Sequence, residues 1–160
     1  MGEIAEFSLA VRLLLRGYRW RRIAPVPWTQ LARPLSQCRL ALVSSAAFVA
    51  PGQDPFDESV RGGDVSFRQI PADLDAAALT DTHRSDSFDH TGMRQDPNLA
   101  FPIDRARELA ERGRIASVSR FHLSLMGSIL APGRLMRDTA PAAAEQLLAD
   151  GVDIALLVPV

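Results

Sequence analysis

The sequence predicts an α/β domain: a three-layer, open, mostly parallel sheet of the Rossmann or flavodoxin kind. Three observations carry this reading. Apolar runs of strand length alternate with helix-length amphipathic segments. The last run, Ile154-Ala155-Leu156-Leu157-Val158, is apolar at every position, as a strand covered on both faces must be. A chain of 160 residues, 47% hydrophobic and 23% charged, is also long enough to bury its own core without a metal or cross-link.

Taken in order, Ile4 to Arg16 reads as a helix, and Arg12, Arg16 and Arg19 fall on one face of it. With Arg21, Arg22, Tyr18 and Trp20 they make residues 1–24 an N-terminal helix and basic segment. Pro25, Pro27 and Pro34 then impose an extended connector into the α/β domain, residues 25–160. The continuous apolar run 39–49 is a buried strand, and the alternation at 65–70 is a second. Strands are also expected near 115–125, as one or two pieces, and 152–158. Helices are expected near 103–112, opened by Pro102 and closed by Gly113, and near 140–149, opened by Pro141 and closed by Gly151. Thr80 to Asn98 is polar, lacks periodicity and reads as a long loop, a length that usually serves function.

Composition removes several classes of function. The formal net charge is −1, which gives no general case for nucleic acid as a partner. Every basic residue is Arg, which excludes a Lys Schiff base and a P-loop lysine in this chain. Cys38 is the single cysteine, so an intramolecular disulfide and a four-Cys zinc site are both impossible. The longest nearly apolar run, Leu40 to Ala50, contains Ser44 and Ser45 and is too short to span a membrane. Glu3 and Glu6 occupy the place of a basic signal region, so a cytoplasmic location is expected.

The histidines are His83, His90 and His122. The segment 82–90 adds Asp86 and Asp89, a set that suits proton transfer or a divalent ion and equally suits a polar surface loop. His122, between Phe121 and Leu123, is expected in the core. Asp104 fits the dipole at a helix start. Asp96-Pro97-Asn98 reads either as a turn or as a polar pocket wall.

A series of segments runs in order through Pro27-Trp28-Thr29-Gln30-Leu31, Arg33-Pro34-Leu35-Ser36 and the strand Arg39 to Val43. It continues through Gly63 to Pro71, His83, Phe88-Asp89-His90 and Asp96-Pro97-Asn98. Phe101-Pro102-Ile103-Asp104-Arg105, Glu108-Leu109, Gly113-Arg114-Ile115, Met126-Gly127 and Gly151 to Val160 complete it, over residues 25–160. Together these segments resemble the glycine/sarcosine/betaine/D-proline reductase selenoprotein B family. Two departures stand out: Ser44-Ser45-Ala46-Ala47 replaces a Thr- and Gly-richer turn, and the Sec/Cys redox motif is absent.

The resemblance implies reductive C–N cleavage in glycine, sarcosine, betaine, D-proline or a related amine, by a selenolate or thiolate nucleophile. It implies a small amine or amino-acid substrate, and other reductase subunits or a thioredoxin-like reductant as partners. On this reading His83, Asp89 and His90 are the acid–base or orienting groups. Asp96, Asn98, Asp104 and Val160 line the substrate pocket, and no metal or other cofactor is assigned. Selenocysteine is expected after Val160, with the chain terminated at its codon, an in-frame UGA. The apolar last strand would then have an uncovered edge inviting a homo-oligomer. The alternative is a shortened paralogue that binds a metal or ligand without redox chemistry.

Overall fold

The computed structural model describes residues 8–17, 22–85 and 90–160. The chain forms two compact units, residues 1–30 and 31–160. In the first, helix α1 (Leu9–Gly17) overlaps the expected helical segment 4–16 and ends one residue beyond it, with Arg16 in its last turn, where a cation complements the helix dipole. Arg19 and Arg21 of the basic cluster lie outside the described residues.

The second unit is built on a five-stranded sheet in which β1 (Arg39–Ser44) is central. On one flank β1 pairs in parallel with β5 (Ser117–Val118) at its start and with β6 (Phe121–Leu125) at its end. On the other it pairs in parallel with β7 (Ile154–Val158), Leu40 facing Ile154 and Ser44 facing Val158. β3 (Phe67–Pro71) closes the far side antiparallel to β6. The expected mixed, mostly parallel sheet is therefore present.

Helices cover both faces, which makes three layers. Helix α3 (Ile103–Glu111) turns Ile103 and Ala106 onto the face of Leu40, Leu42 and Ile70, where Phe48 and Phe101 meet edge to face. Helix α4 (Ala140–Ala149) turns Ala143 and Leu147 onto the opposite face, against Ala41 and Leu123. Each helix ends on a glycine of positive φ, Gly113 at 66° and Gly151 at 72°. There the Arg114 and Val152 amides reach back to Leu109 and Leu147 carbonyls.

Three expectations need correction. The run 39–49 is not one strand. Ser44 Oγ donates to the Ala100 carbonyl and accepts the Ala46 amide, which turns the chain. Ala47 then adopts φ 54°, and β2 (Phe48–Val49) leaves to pair with β4 (Thr80–Asp81). The segment 80–98 is not an unstructured loop: it contains β4, the short helix α2 (His90–Gln95) and a 3₁₀ turn Pro97–Leu99. Buried Met93 anchors α2, which is too short to show a period in sequence. A π-helical turn, Leu135–Thr139, precedes α4. Finally, β7 is not covered on both faces. It lies at the sheet edge, and Leu156 and Leu157 are 44% and 68% exposed, because the buried faces of α3 and α4 are spent on β1 and β6.

The break between β5 and β6 is held by side chains. Asp150, at the end of α4, accepts the Ser119 hydroxyl at 2.7 Å and the Arg120 amide at 2.9 Å, and also pairs with the Arg120 guanidinium. Its carbonyl accepts Arg39 Nη1, and Asp153 accepts the Arg39 amide. Burial pushes the Asp150 carboxyl upward, but these donors overcome it and hold its pKa at about 2. A depressed carboxylate contributes stability above its unfolded pKa, which is lost as pH falls through the folded one. Denaturant titrations should therefore show stability declining between about pH 4 and pH 2. Asp150→Asn should cost about 2 kcal/mol at pH 7 and flatten that decline; a variant with unchanged midpoint would refute the clamp.

Candidate functional site

Because β1, β6 and β7 run parallel, their carboxyl ends share one edge of the sheet, where ligands of open α/β sheets sit. A cavity of about 360 Å³ opens there, with Val43, Ser45, Leu125, Gly127, Leu157 and Pro159 in its wall. The wall is chiefly apolar, with serines at the end of β1. Ser45 ties the rim together: its amide donates to Val158 O at 3.1 Å and its hydroxyl accepts the Val160 amide at 2.9 Å.

Gly127 is the point of convergence. A β-carbon there would stand 2.8 Å from Ser45 O, 2.9 Å from His83 Nε2 and 3.0 Å from Val160 O. Two of these three are backbone atoms that cannot rotate away. His83 and Val160, distant in sequence, are thus neighbours across a residue with no side chain.

The two histidines of the segment form a tilted pair with ring centroids 6.3 Å apart. His83 is buried, and its Nδ1 accepts the Ser85 amide at 3.1 Å, which leaves Nε2 to carry the proton of the neutral ring. Burial, then the charge of His90, lowers its pKa from 6.5, with Asp81 opposing. His90 has the reverse setting. Its Nδ1 lies 2.6 Å from Asp81 Oδ2 and its Nε2 2.7 Å from the Ser85 carbonyl. Both partners are acceptors, so the protonated ring donates twice, and the Asp81 hydrogen bond leads in raising its pKa. Asp81 is pushed up by burial but lowered on balance by His90, by the His83 amide and by Arg94, whose Nη2 stands 3.2 Å away. Neighbouring titratable groups driven in opposite directions are the arrangement that acid–base sites use.

Asp96, Asn98 and Asp104 lie together in a second cluster. Asp96 Oδ1 accepts the Asn98 amide and Nδ2; Nδ2 also donates to Asp104 Oδ2 at 2.8 Å; and Asn98 Oδ1 accepts the Asp104 amide at 3.0 Å. Arg107 Nη1 donates to Asp104 at 2.9 Å. The knot caps the start of α3, and its polar atoms bond one another. Asp89 lies outside the described residues. His122 is fully buried, accepts the Leu42 amide on Nδ1 at 3.2 Å, and is held near pKa 4 by burial and then by Arg107. Among the described residues no group of three His, Cys, Asp or Glu is arranged to hold a metal ion. Nor is any helix among them long and apolar enough to cross a membrane.

Sequence reasoning passed over Asp81, Arg94 and Ser45. Asp81 stands two residues before His83, close enough for its carboxylate to accept the His83 amide. Ser45 is a polar residue closing an apolar strand, a placement that marks the functional edge of a parallel sheet.

This geometry has measurable consequences. A nitrogen-detected NMR titration should place His90 above 6.5 and His83 below it, with His83 in the Nε2–H tautomer. Asp81→Asn should drop His90 toward 6.5. Because the folded pKa of His90 is raised, stability from its pair with Asp81 is present at pH values just below about 6.5 and fades as pH climbs from there through the raised folded pKa. Gly127→Ala should destabilise the fold by about 1–3 kcal/mol and shift the His83 resonances; a silent substitution would refute the close approach.

The D-proline reductase subunit gamma of Acetoanaerobium sticklandii is 32% identical over 136 residues, which cover 84% of this chain and 54% of that protein. The chain thus spans about half the length of this curated relative. No solved structure matches it. Residues 17–159 match the family described as glycine/sarcosine/betaine reductase selenoprotein B, and the chain belongs to that family.

Proposed function

We propose that this chain is the substrate-holding part of a reductase that cleaves a C–N bond in a small amine or amino acid. The observation that carries the reading is the convergence of Ser45, His83 and Val160 on Gly127, at the edge where the carboxyl ends of three parallel strands meet the cavity. The apolar wall suits the carbon skeleton of a small amine such as D-proline, betaine, sarcosine or glycine. His83, whose buried Nε2 lies directly behind Gly127 of the cavity wall, is the group we assign to orient the substrate or to deliver a proton. His90 acts through it as a positioning residue, since both its ring protons are held by Asp81 and Ser85.

In this reading a selenolate or thiolate would supply the nucleophile. It would displace the amine, which would leave with the bonding pair and take up a proton. The carbon would gain a proton, and two electrons from a dithiol would complete the reduction. Other reductase subunits or a thioredoxin-like protein of the cytoplasm supply those electrons. The exposed edge of β7, with Leu156 and Leu157, suits pairing with another chain.

Binding tests the assignment directly. D-Proline, glycine, sarcosine and betaine should be titrated separately into labelled protein. At least one should shift the Ser45 and Gly127 amides and the His83 ring saturably, and His83→Gln should weaken it about ten-fold. If none perturbs these signals, the proposed pocket is wrong.

A further inference from the structure

A second cavity, of about 320 Å³, adjoins the first, with Pro132 in both walls. Arg61, Gly62 and Gly63 form one side of it and Gly133, Arg134 and Arg137 the other. Its two sides are held in fixed register by backbone. The Leu130 and Ala131 amides both donate to the Gly62 carbonyl, at 2.9 and 3.2 Å. Gly62 and Gly63 have φ of 93° and 106°, and a β-carbon on Gly63 would stand 2.7 Å from Ile129 Cδ1 and 3.0 Å from Ser128 O. Only glycine allows this approach, so the loop bearing Arg61 is pressed against the segment that leads into Arg134.

The charges are not balanced within the protein. Arg137 is neutralised by Asp138, through two contacts of 2.9 Å. The Arg61 and Arg134 side chains make no hydrogen bond or ion pair among the described residues, where ten ion pairs occupy nine other arginines and His90. Two arginines whose side chains have no partner among the described residues thus line one concave site that nothing in the proposed reaction uses. Planar guanidinium groups favour oxyanions they can grip through paired N–H donors. A carboxylate would leave one of the two charges unmatched, whereas a phosphate dianion matches both.

We propose that Arg61 and Arg134 form a binding site for a doubly charged phosphate group, free or as the monoester of a small molecule. This site is separate from the amine pocket and does not depend on that assignment. Calorimetry at pH 7.5 and fixed ionic strength tests it with three probes: inorganic phosphate, ethyl phosphate and acetate. Saturable binding of at least one phosphate probe and not of acetate is expected. Arg61→Gln and Arg134→Gln should each weaken it about ten-fold or more, and together abolish it. Arg114→Gln, which removes an exposed arginine elsewhere, should leave it unchanged and so separates a site from general attraction. Binding of ethyl phosphate marks a monoester site; binding of inorganic phosphate alone marks a free-ion site. Because both arginines are exposed, the variants should keep the wild-type melting temperature. No saturable phosphate binding, equal binding of acetate, or unchanged affinity in the double variant overturns the proposal.

Discussion

The buried carboxylate of Asp150 is the interaction on which the rest of the second unit depends. It sits where α4 ends and the chain turns toward β7, and its oxygens reach the break between β5 and β6. Its own carbonyl and the neighbouring Asp153 take hold of Arg39, the first residue of β1. Three parallel strands are therefore fastened at their amino ends by one charge and its donors. Such a buried charge is tolerable only because every oxygen is engaged; removal of the donors would leave a costly unpaired ion.

That fastening divides the labour between the two edges of the sheet. At the amino edge polar groups are consumed by one another, as in the Arg33–Asp153 and Arg39–Asp150 contacts. At the carboxyl edge the strands open onto an apolar cavity, and polar groups arrive from the connections instead. Ser45 comes from the turn after β1, His83 from the segment after β4 and Gly127 from the end of β6. The segment between β4 and α2 is held to that edge by Arg84, which donates to the Ser128 carbonyl at 2.7 Å. The chemistry of the edge thus rests on loops, while the rigidity that positions them comes from the opposite end.

Much of this was legible in the sequence because periodicity reports burial. The apolar run at 39–44, the Pro-to-Gly frame of α3 and the matching frame of α4 all coincide with elements of the fold. The failures have physical causes. Helix α2 is six residues held by one buried methionine, so tertiary contact rather than pattern creates it. The end of β1 is set by a Ser44 hydroxyl bond to a residue 56 positions away, which no local window contains. β7 has the composition of a covered strand but an edge position, because composition does not encode which strands the helices reach. At the candidate site, the histidines were legible as residue types. Their opposed protonation was not, since it arises from Asp81 and Ser85 placed by folding.

His122 gives the sheet one more property. Between β5 and β6 the strand beside β1 offers no carbonyl to the Leu42 amide, and the imidazole of His122 stands in for it. The β1–β6 ladder itself consists of two residue pairs, Val43 with Leu123 and Ser44 with Ser124, too few to fix alignment by backbone bonding alone. A slide of one residue would orphan the Leu42 amide and swing the buried Leu123 to the wrong face. The ring acts as a key that fits one alignment only. Since the same alignment sets how far β6 extends past β1, it also sets where Gly127 meets Ser45, so a histidine in the core gauges the distance across an edge it never touches.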